Sequence, residues 1–250
     1  MLALLVAAAL SAAPESAFAF VDATGKRLLA VGAVEQPARL TRATCDGKLV
    51  EVTYLREQPR GAKDTGRLVS FNFDQSPGSL YELQGAAAER DATCLLGTPS
   101  FFAVRAPVPV TASKQPCAKP LADAAAALGK RAVQACTEVG RFPGGTLAHV
   151  AFASDGEQLL VGLALDAGAT TALRAFPAKR DPGGFSCWRA DDGCAFPPHS
   201  YRVPLVLKRK DGLELLGLWD GPEGQVAERL SVSGQALAVA DVASRYWSPP

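Results

Sequence analysis

The chain has 250 residues, with 26 Lys and Arg against 25 Asp and Glu and a formal net charge of +1. That balance argues against a nucleic-acid binder, which carries a basic excess, and against a polybasic membrane adsorber. Hydrophobic residues at 48% and charged residues at 20% exclude wholesale disorder, and 23 Gly with 18 Pro favour a turn-rich fold over long helices.

The chain opens on an apolar, uncharged run, Met1 to Leu10, broken by Pro14. Ala17-Phe18-Ala19 places small residues where a signal peptidase cuts, so residues 1–19 are expected to be a signal peptide cleaved after Ala19, although no Lys or Arg precedes the apolar run. No later stretch reaches the roughly 20 uncharged residues that span a bilayer. The expected mature chain is therefore free of membrane spans and lies outside the cytosol, periplasmic or secreted. Abundant Ala and an excess of Arg over Lys point to a GC-rich bacterial genome.

Alternating apolar and polar residues dominate from residue 20 onward. In the first half, residues 20–113, Lys48–Arg56 puts Val50, Val52 and Tyr54 on one core-facing side. Arg67–Phe73, Leu80–Leu83 and Phe101–Arg105 are further expected strands. Residues 114–130 read as a linker, rich in proline around Pro116 and Pro120, leading into one short helix over Leu121–Leu128. Pro120 suits its first turn, and Gly129 its left-handed end. In the second half, residues 131–250, strands are expected at Leu147–Ala153, Gln158–Leu165, Thr171–Phe176, Ser200–Lys208, Leu213–Trp219, Gln225–Val232 and Gln235–Val242. Ser233-Gly234 is the expected hairpin turn, and Asp22–Gly25 and Asp220–Gly224 are turns of similar chemistry. The expected fold is mainly β: two related antiparallel halves, sandwich- or barrel-like, with the short helix between them, or an α+β arrangement as the alternative.

The relation between halves rests on an internal repeat. Leu68–Asp74 matches Leu160–Asp166 as an apolar alternation ending in Asp, Ala88–Asp91 matches Ala178–Asp181, and a cysteine follows each. Cys45 to Cys94 spans 49 residues and Cys136 to Cys187 spans 51.

Six cysteines, Cys45, Cys94, Cys117, Cys136, Cys187 and Cys194, behind a signal peptide read as three disulfides. The repeat selects Cys45–Cys94. For the other four, the short loop between Cys187 and Cys194 favours local pairs, Cys117–Cys136 with Cys187–Cys194. The repeat spacing favours Cys136–Cys187 with Cys117–Cys194. A metal reading would combine Cys187, Cys194, His199, Asp191 and Asp192, but C-x6-C-x4-H is wider than zinc sites use.

Catalytic signatures are sparse. HExxH, Walker A and GxGxxG patterns do not occur, and the chain has only His149 and His199. The nearest nucleophile elbow, Gly184-Phe185-Ser186-Cys187-Trp188, carries Trp where the strained turn needs Gly. The carboxylate pairs Asp191/Asp192, Asp211/Glu214 and Asp220/Glu223 read as solvated turns. Lys208-Arg209-Lys210 reads as a solubilising hairpin tip, and Trp188, Tyr201, Trp219, Tyr246 and Trp247 as core aromatics unless an exposed cluster of them stacks on a glycan or peptide. No residue is assigned to catalysis, to a metal or to a cofactor, and none is expected. The functional expectation is a non-enzymatic periplasmic or secreted binding or accessory protein with an unspecified protein or glycan partner. The alternatives are an extracytoplasmic hydrolase using His149 or His199, and a protease inhibitor presenting the loop Trp188–Gly193.

Overall fold

In the computed structural model, which describes residues 15–188, 192–196 and 200–247, the chain is mainly β, in two bodies. The first is a closed six-stranded antiparallel barrel: β1 (Ser16–Val21), β2 (Arg27–Ala30), β3 (Arg42–Thr44), β4 (Leu49–Gln58), β5 (Gly78–Leu83) and β6 (Thr93–Gly97), in the order β1-β2-β5-β4-β3-β6. Its interior holds Ala19, Val21, Leu28, Val52, Tyr81 and Leu96. Val50, Val52 and Tyr54 face that core, as the alternation in β4 predicts.

The expected cleavage point after Ala19 falls inside β1. Ser16, Ala17, Phe18 and Ala19 pair with Gly97, Leu96, Leu95 and Cys94 of β6. Their side chains cover both faces of the barrel wall. Ala19 points into the barrel, while Phe18 packs against the second body and Phe20 under Phe73. A strand buried on both faces reads as a continuous apolar run, which is also how the core of a leader reads.

Arg67–Phe73, expected as a strand, is instead a series of turns ending in a 3-10 turn at Phe73–Gln75. The chain's one asparagine imposes it. Asn72 Nδ2 donates to Asp64, to the Arg67 carbonyl and to Ser76 Oγ, and Asn72 Oδ1 accepts from Thr65 N. Local side-chain bonds thus replace a ladder. The loop lays Phe73 edge-on over Phe20, ring centroids 5.4 Å apart.

Phe101–Arg105 is also not a strand. Pro99–Ala103 is a short helix, α1, capped by Thr98 Oγ1, which accepts from Phe101 N. The second body begins directly after it, before the expected boundary at residue 114. Its strands are β7 (Ala106–Pro109), β8 (Thr111–Ala112), β9 (Val133–Phe142), β10 (Gly145–Phe152), β11 (Gln158–Ala167), β12 (Thr170–Lys179), β13 (Tyr201–Arg209), β14 (Gly212–Asp220), β15 (Gly224–Ser233) and β16 (Ala236–Tyr246). The ten lie in the order β7-β13-β14-β15-β16-β12-β11-β10-β9-β8. The two edges of this sheet, β7 and β8, are separated in sequence by Val110 alone. The segment 106–112 therefore straps β13 to β9, and the sheet closes on itself through the covalent chain. Inside lie Leu147, Leu163, Leu165, Phe176, Val206, Leu215 and Leu230.

The expected helix is α2 (Lys119–Gly129), which buries Leu121 and Ala125 against the outer faces of β10, β11 and β12. Lys130 takes the left-handed conformation, not Gly129. Gly129 has a different reason to be glycine: a Cβ there would strike the Phe152 ring.

The disulfides are Cys45–Cys94, Cys117–Cys136 and Cys187–Cys194. The pairing Cys136–Cys187 drawn from the repeat spacing is overturned in favour of the local pairs. Leu68–Asp74 and Leu160–Asp166, the best-matched repeat segments, are turns in one body and strand β11 in the other. The bodies also differ in strand number and order. Three disulfides mark an oxidising, extracytoplasmic environment. Among the described residues no helix is long and apolar enough to cross a membrane.

Candidate functional site

The two bodies meet over an apolar patch. Phe18 and Leu95 of the barrel and Phe101 and Phe102 of α1 pack on Leu205, Leu207, Leu216, Leu218 and Ala227. Beside the patch a cleft of about 520 Å³ opens between the bodies, with Asp46 and residues 89–93 on one side and Val110, Arg202, Pro204, Arg245 and Trp247 on the other.

Its floor is a polar network that crosses the junction. Arg202 Nε donates to Asp220 at 2.8 Å, and Gln225 Nε2 donates to the other oxygen of Asp220 at 2.6 Å. Gln225 Oε1 accepts from Thr93 of the first body and from Arg245 Nε. Arg245 Nη2 donates to the main-chain carbonyl of Asp91. Strand pairing places these groups: β15 and β16 register Gln225 opposite Arg245. Asp91 has φ +62°, a left-handed conformation that Asp tolerates better than most residues, and Ser70 N and Oγ fix its carboxylate. That bend turns its carbonyl toward Arg245.

Arg245 is 5% exposed, stacked between Phe20 and Trp247 with its guanidinium carbon 5.5 and 5.3 Å from their rings. Among the described residues no carboxylate lies within salt-bridge distance of it, and its Nη1 has no hydrogen-bond partner. Burial lowers its pKa to about 10, with the charges of Asp91 and Asp220 opposing the shift.

A second cavity of about 540 Å³ follows the seam of the second body, where the strap 106–112 stands between β9 and β13. It shares Val110, Arg202 and Pro204 with the cleft, and adds Ala112, Val139, Tyr201 and Val203. Its lining is mainly apolar.

His149 stands elsewhere. It points into the second body, its ring centroid 5.6 Å from Phe196, and neither ring nitrogen has a hydrogen-bond partner among the described residues. Phe196 also contacts Phe176, Trp188 and Trp219, so the chain around the Cys187–Cys194 loop plugs that end of the body with aromatic rings. Trp188 is anchored by Nε1 to the Phe176 carbonyl at 2.9 Å. Below the plug, Glu228 accepts from Arg174 and from the Tyr201 hydroxyl, each at 3.0 Å. Gly217 leaves the room for that hydroxyl. Burial, with the charge of Glu228, raises the Tyr201 pKa.

Burial also pushes the His149 pKa down from 6.5 to about 4, opposed only by the main chain of Tyr201, which approaches outside good hydrogen-bond geometry. The folded ring refuses a proton that the unfolded chain accepts. The stability this contributes is therefore complete above about pH 6.5 and is lost as pH falls toward about 4. At about 1.4 kcal/mol per unit, the loss is about 3 kcal/mol. His149→Leu is expected to leave stability at pH 7 unchanged or higher, because it removes an unsatisfied buried group, and to flatten the acid limb. Urea unfolding at pH 7 and pH 4.5 measures both; an unchanged acid limb would contradict the assignment.

The remaining candidates from the sequence are scattered over the second body. Cys187 and Cys194 are bonded to each other, so they are not metal ligands, and among the described residues no group of three could hold a metal. Asp191 and His199 lie outside the described residues. Asp192 caps the disulfide loop by accepting from the main-chain N–H of Cys187, Trp188 and Cys194. The basic run at Lys208–Lys210 is partly engaged: Lys208 donates to the Pro143 carbonyl, and Arg209 pairs with Asp211 and Glu214. Glu214 is not in a solvated turn but buried in an arginine cluster. Asp220 belongs to the cleft network. Trp219 and Tyr201 are core residues, and Trp247 is a cleft wall. Arg245 is not among the residues the sequence singles out. Its one signal is a basic residue amid the alternation of β16, which any solvated strand face also shows.

No known protein family, no curated protein and no solved structure matches the chain.

Proposed function

We propose that the chain is an exported, non-enzymatic binding protein of the bacterial periplasm or cell exterior, and that it holds a small ligand in the cleft between its two β bodies. The observation that carries this reading is the cleft itself. It has the volume of a small-molecule site, it draws polar groups from both bodies, and a hydrogen-bonded network that needs both bodies holds those groups in place. Support for export comes from the three disulfides, which form and persist in an oxidising compartment.

Trp247 on the cleft wall supplies the assay. Ligand binding is expected to change its fluorescence and raise the melting temperature, and Trp247→Phe is expected to abolish the first and keep the second. The same protein is to be tested on ester, peptide and glycan substrates beside a variant with His149 and His199 both changed to Ala. Turnover that disappears in the double variant would replace this reading with a hydrolase.

A further inference from the structure

We infer that the outer edge of β16 docks a short extended segment of another polypeptide, which joins the sheet of the second body as an added strand and rests an apolar side chain on the outer face beside Ser244. β16 pairs with β15 along its whole length, from Ala236 to Tyr246. On its other side it meets β12 at one residue, Ala236 opposite Leu173, where Leu173 N donates to the Gln235 carbonyl. The next main-chain partner on that side is Leu68 N, which donates to the Tyr246 carbonyl. Main-chain groups alternate between the two edges of a strand. Leu237 and Val239 therefore face out with Gln235. The register shifts at Ala240, after which Val242 and Ser244 face out with Tyr246. Val242 agrees with that phase: its N–H is taken by the carboxylate of Asp241 beside it. Among the described residues no other main chain pairs with this edge between Ala238 and Ser244.

A bare edge is a template for another strand, and proteins blunt it with proline, lysine or a cover. The facing lip, β12, is blunted. Pro177 stands on the same edge as Leu173, where it offers no N–H, and Lys179 follows it there. Residues 236–244 of β16 contain neither residue type, and Val239 and Val242 are 40% and 55% exposed. The two closures set the size of the guest. Residues 238–244 lie open between the contacts of Leu173 and Leu68, a length of about 23 Å at roughly 3.3 Å per residue. A short extended segment fits that gap. A second β16 does not, because its eleven residues would run into Leu68 and Leu173 at the two ends.

The outer face supplies a place for a side chain. A depression of about 480 Å³, mainly apolar, lies over the ends of β15 and β16 and is lined by Pro222, Val226, Ser244 and Tyr246. Val226 stands opposite Ser244 in the ladder, and the small Ser244 leaves the way to the depression open from the edge. Main-chain pairing gives the affinity, and the depression selects a large apolar side chain.

The probe is a capped seven-residue peptide that alternates threonine with valine and carries phenylalanine at its centre, labelled with fluorescein and added to the full chain with its disulfides intact. Fluorescence polarisation is expected to show binding, and amide exchange is expected to slow at Val239 and Ser244 more than at Ala243, which faces β15. Methylating one alternate set of peptide nitrogens is expected to weaken binding about tenfold or more, and methylating the other set to leave it within about threefold. Val242→Pro removes an outward N–H that is not part of the ladder with β15, and is expected to weaken the peptide about tenfold with the melting temperature little changed. If that variant does not fold, Ser244→Trp decides. This exposed position controls access to the depression, and its indole is expected to erase the preference for phenylalanine over threonine at the centre of the peptide.

Equal effects of the two methylation sets would overturn the inference, as would unchanged exchange along β16 at about 1 mM peptide. Dimerisation of the chain alone that Val242→Pro abolishes would assign the edge to a second copy and overturn it too. The reading of the cleft is untouched by any of these outcomes, since it rests on a small ligand and on Trp247.

Discussion

A chain that begins at Phe20 is expected not to fold, whereas one that begins at Glu15 is expected to be fully stable. Removing Ser16–Ala19 deletes most of the pairing between β1 and β6 and opens the closed first barrel at that seam. An opened barrel has two unpaired edges. It also loses Phe18, 3% exposed, from the apolar patch that joins the two bodies. The burial of that one ring stabilises by about 2–3 kcal/mol. With the lost ladder the total reaches the roughly 5–15 kcal/mol that a whole domain has to spare. Circular dichroism and urea unfolding of the two chains, made under oxidising conditions, test this. A Phe20 chain within about 1 kcal/mol of the longer one would refute it. N-terminal sequencing of exported protein is correspondingly expected to find its first residue upstream of Ser16.

The second large effect is expected at Glu214, which is 1% exposed. Its carboxylate accepts from Arg105 Nε at 3.1 and 3.2 Å, from Arg209 Nη1 at 2.6 Å and from Arg229 Nη1 at 3.0 Å. Arg105 and Arg229 also lie over the Phe101 ring, 4.3 and 5.7 Å from its centre, so the cluster fixes α1 against the second body. Burial pushes the Glu214 pKa up, but the three guanidinium groups outweigh it and hold the pKa low. The stability tied to the ionised form is thus present above the pKa of an unfolded glutamate and lost as pH falls through the lower folded value. Glu214→Ala leaves three arginines converging on no anion and is expected to cost about 3–5 kcal/mol. High salt should recover part of that, and Glu214→Gln should lie between parent and alanine. A cost below about 1 kcal/mol in urea unfolding would show that the cluster is solvated rather than structural.

Much of the second body was legible from the sequence. Its strands β10 to β16 carry alternation over eight to eleven residues, and the Ser233-Gly234 turn sits where β15 and β16 reverse. The first body was harder to read. β1 and β6 are buried on both faces and lose the alternation, and β2 and β3 have only four and three residues. Arg67–Phe73 kept an alternating pattern yet folded as a loop, because Asn72 satisfies the backbone there with its amide. Of the site, only Asp220 and Trp247 were among the residues the sequence singled out, and nothing in the sequence brought them together. Arg245 meets Asp91, 154 residues earlier, and Thr93 meets Gln225 across 132 residues, contacts that no local pattern announces.

The sequence by itself determined the β class, the α2 helix and the three-disulfide character, since these depend on residue type, period and the oxidising chemistry of thiols; the pairing of the cysteines did not follow from it, because the repeat that selected Cys45–Cys94 also selected Cys136–Cys187, which does not form. The tertiary structure alone decided that the apolar segment Ser16–Val21 is a barrel strand, that the sheet of the second body closes through the strap carrying β7 and β8, and that a buried arginine stands at the floor of a cleft. The physical reason is one of range. Propensity and periodicity act over a few residues, whereas burial on a second face, closure of a sheet and the compensation of a buried charge depend on what distant parts of the chain bring alongside.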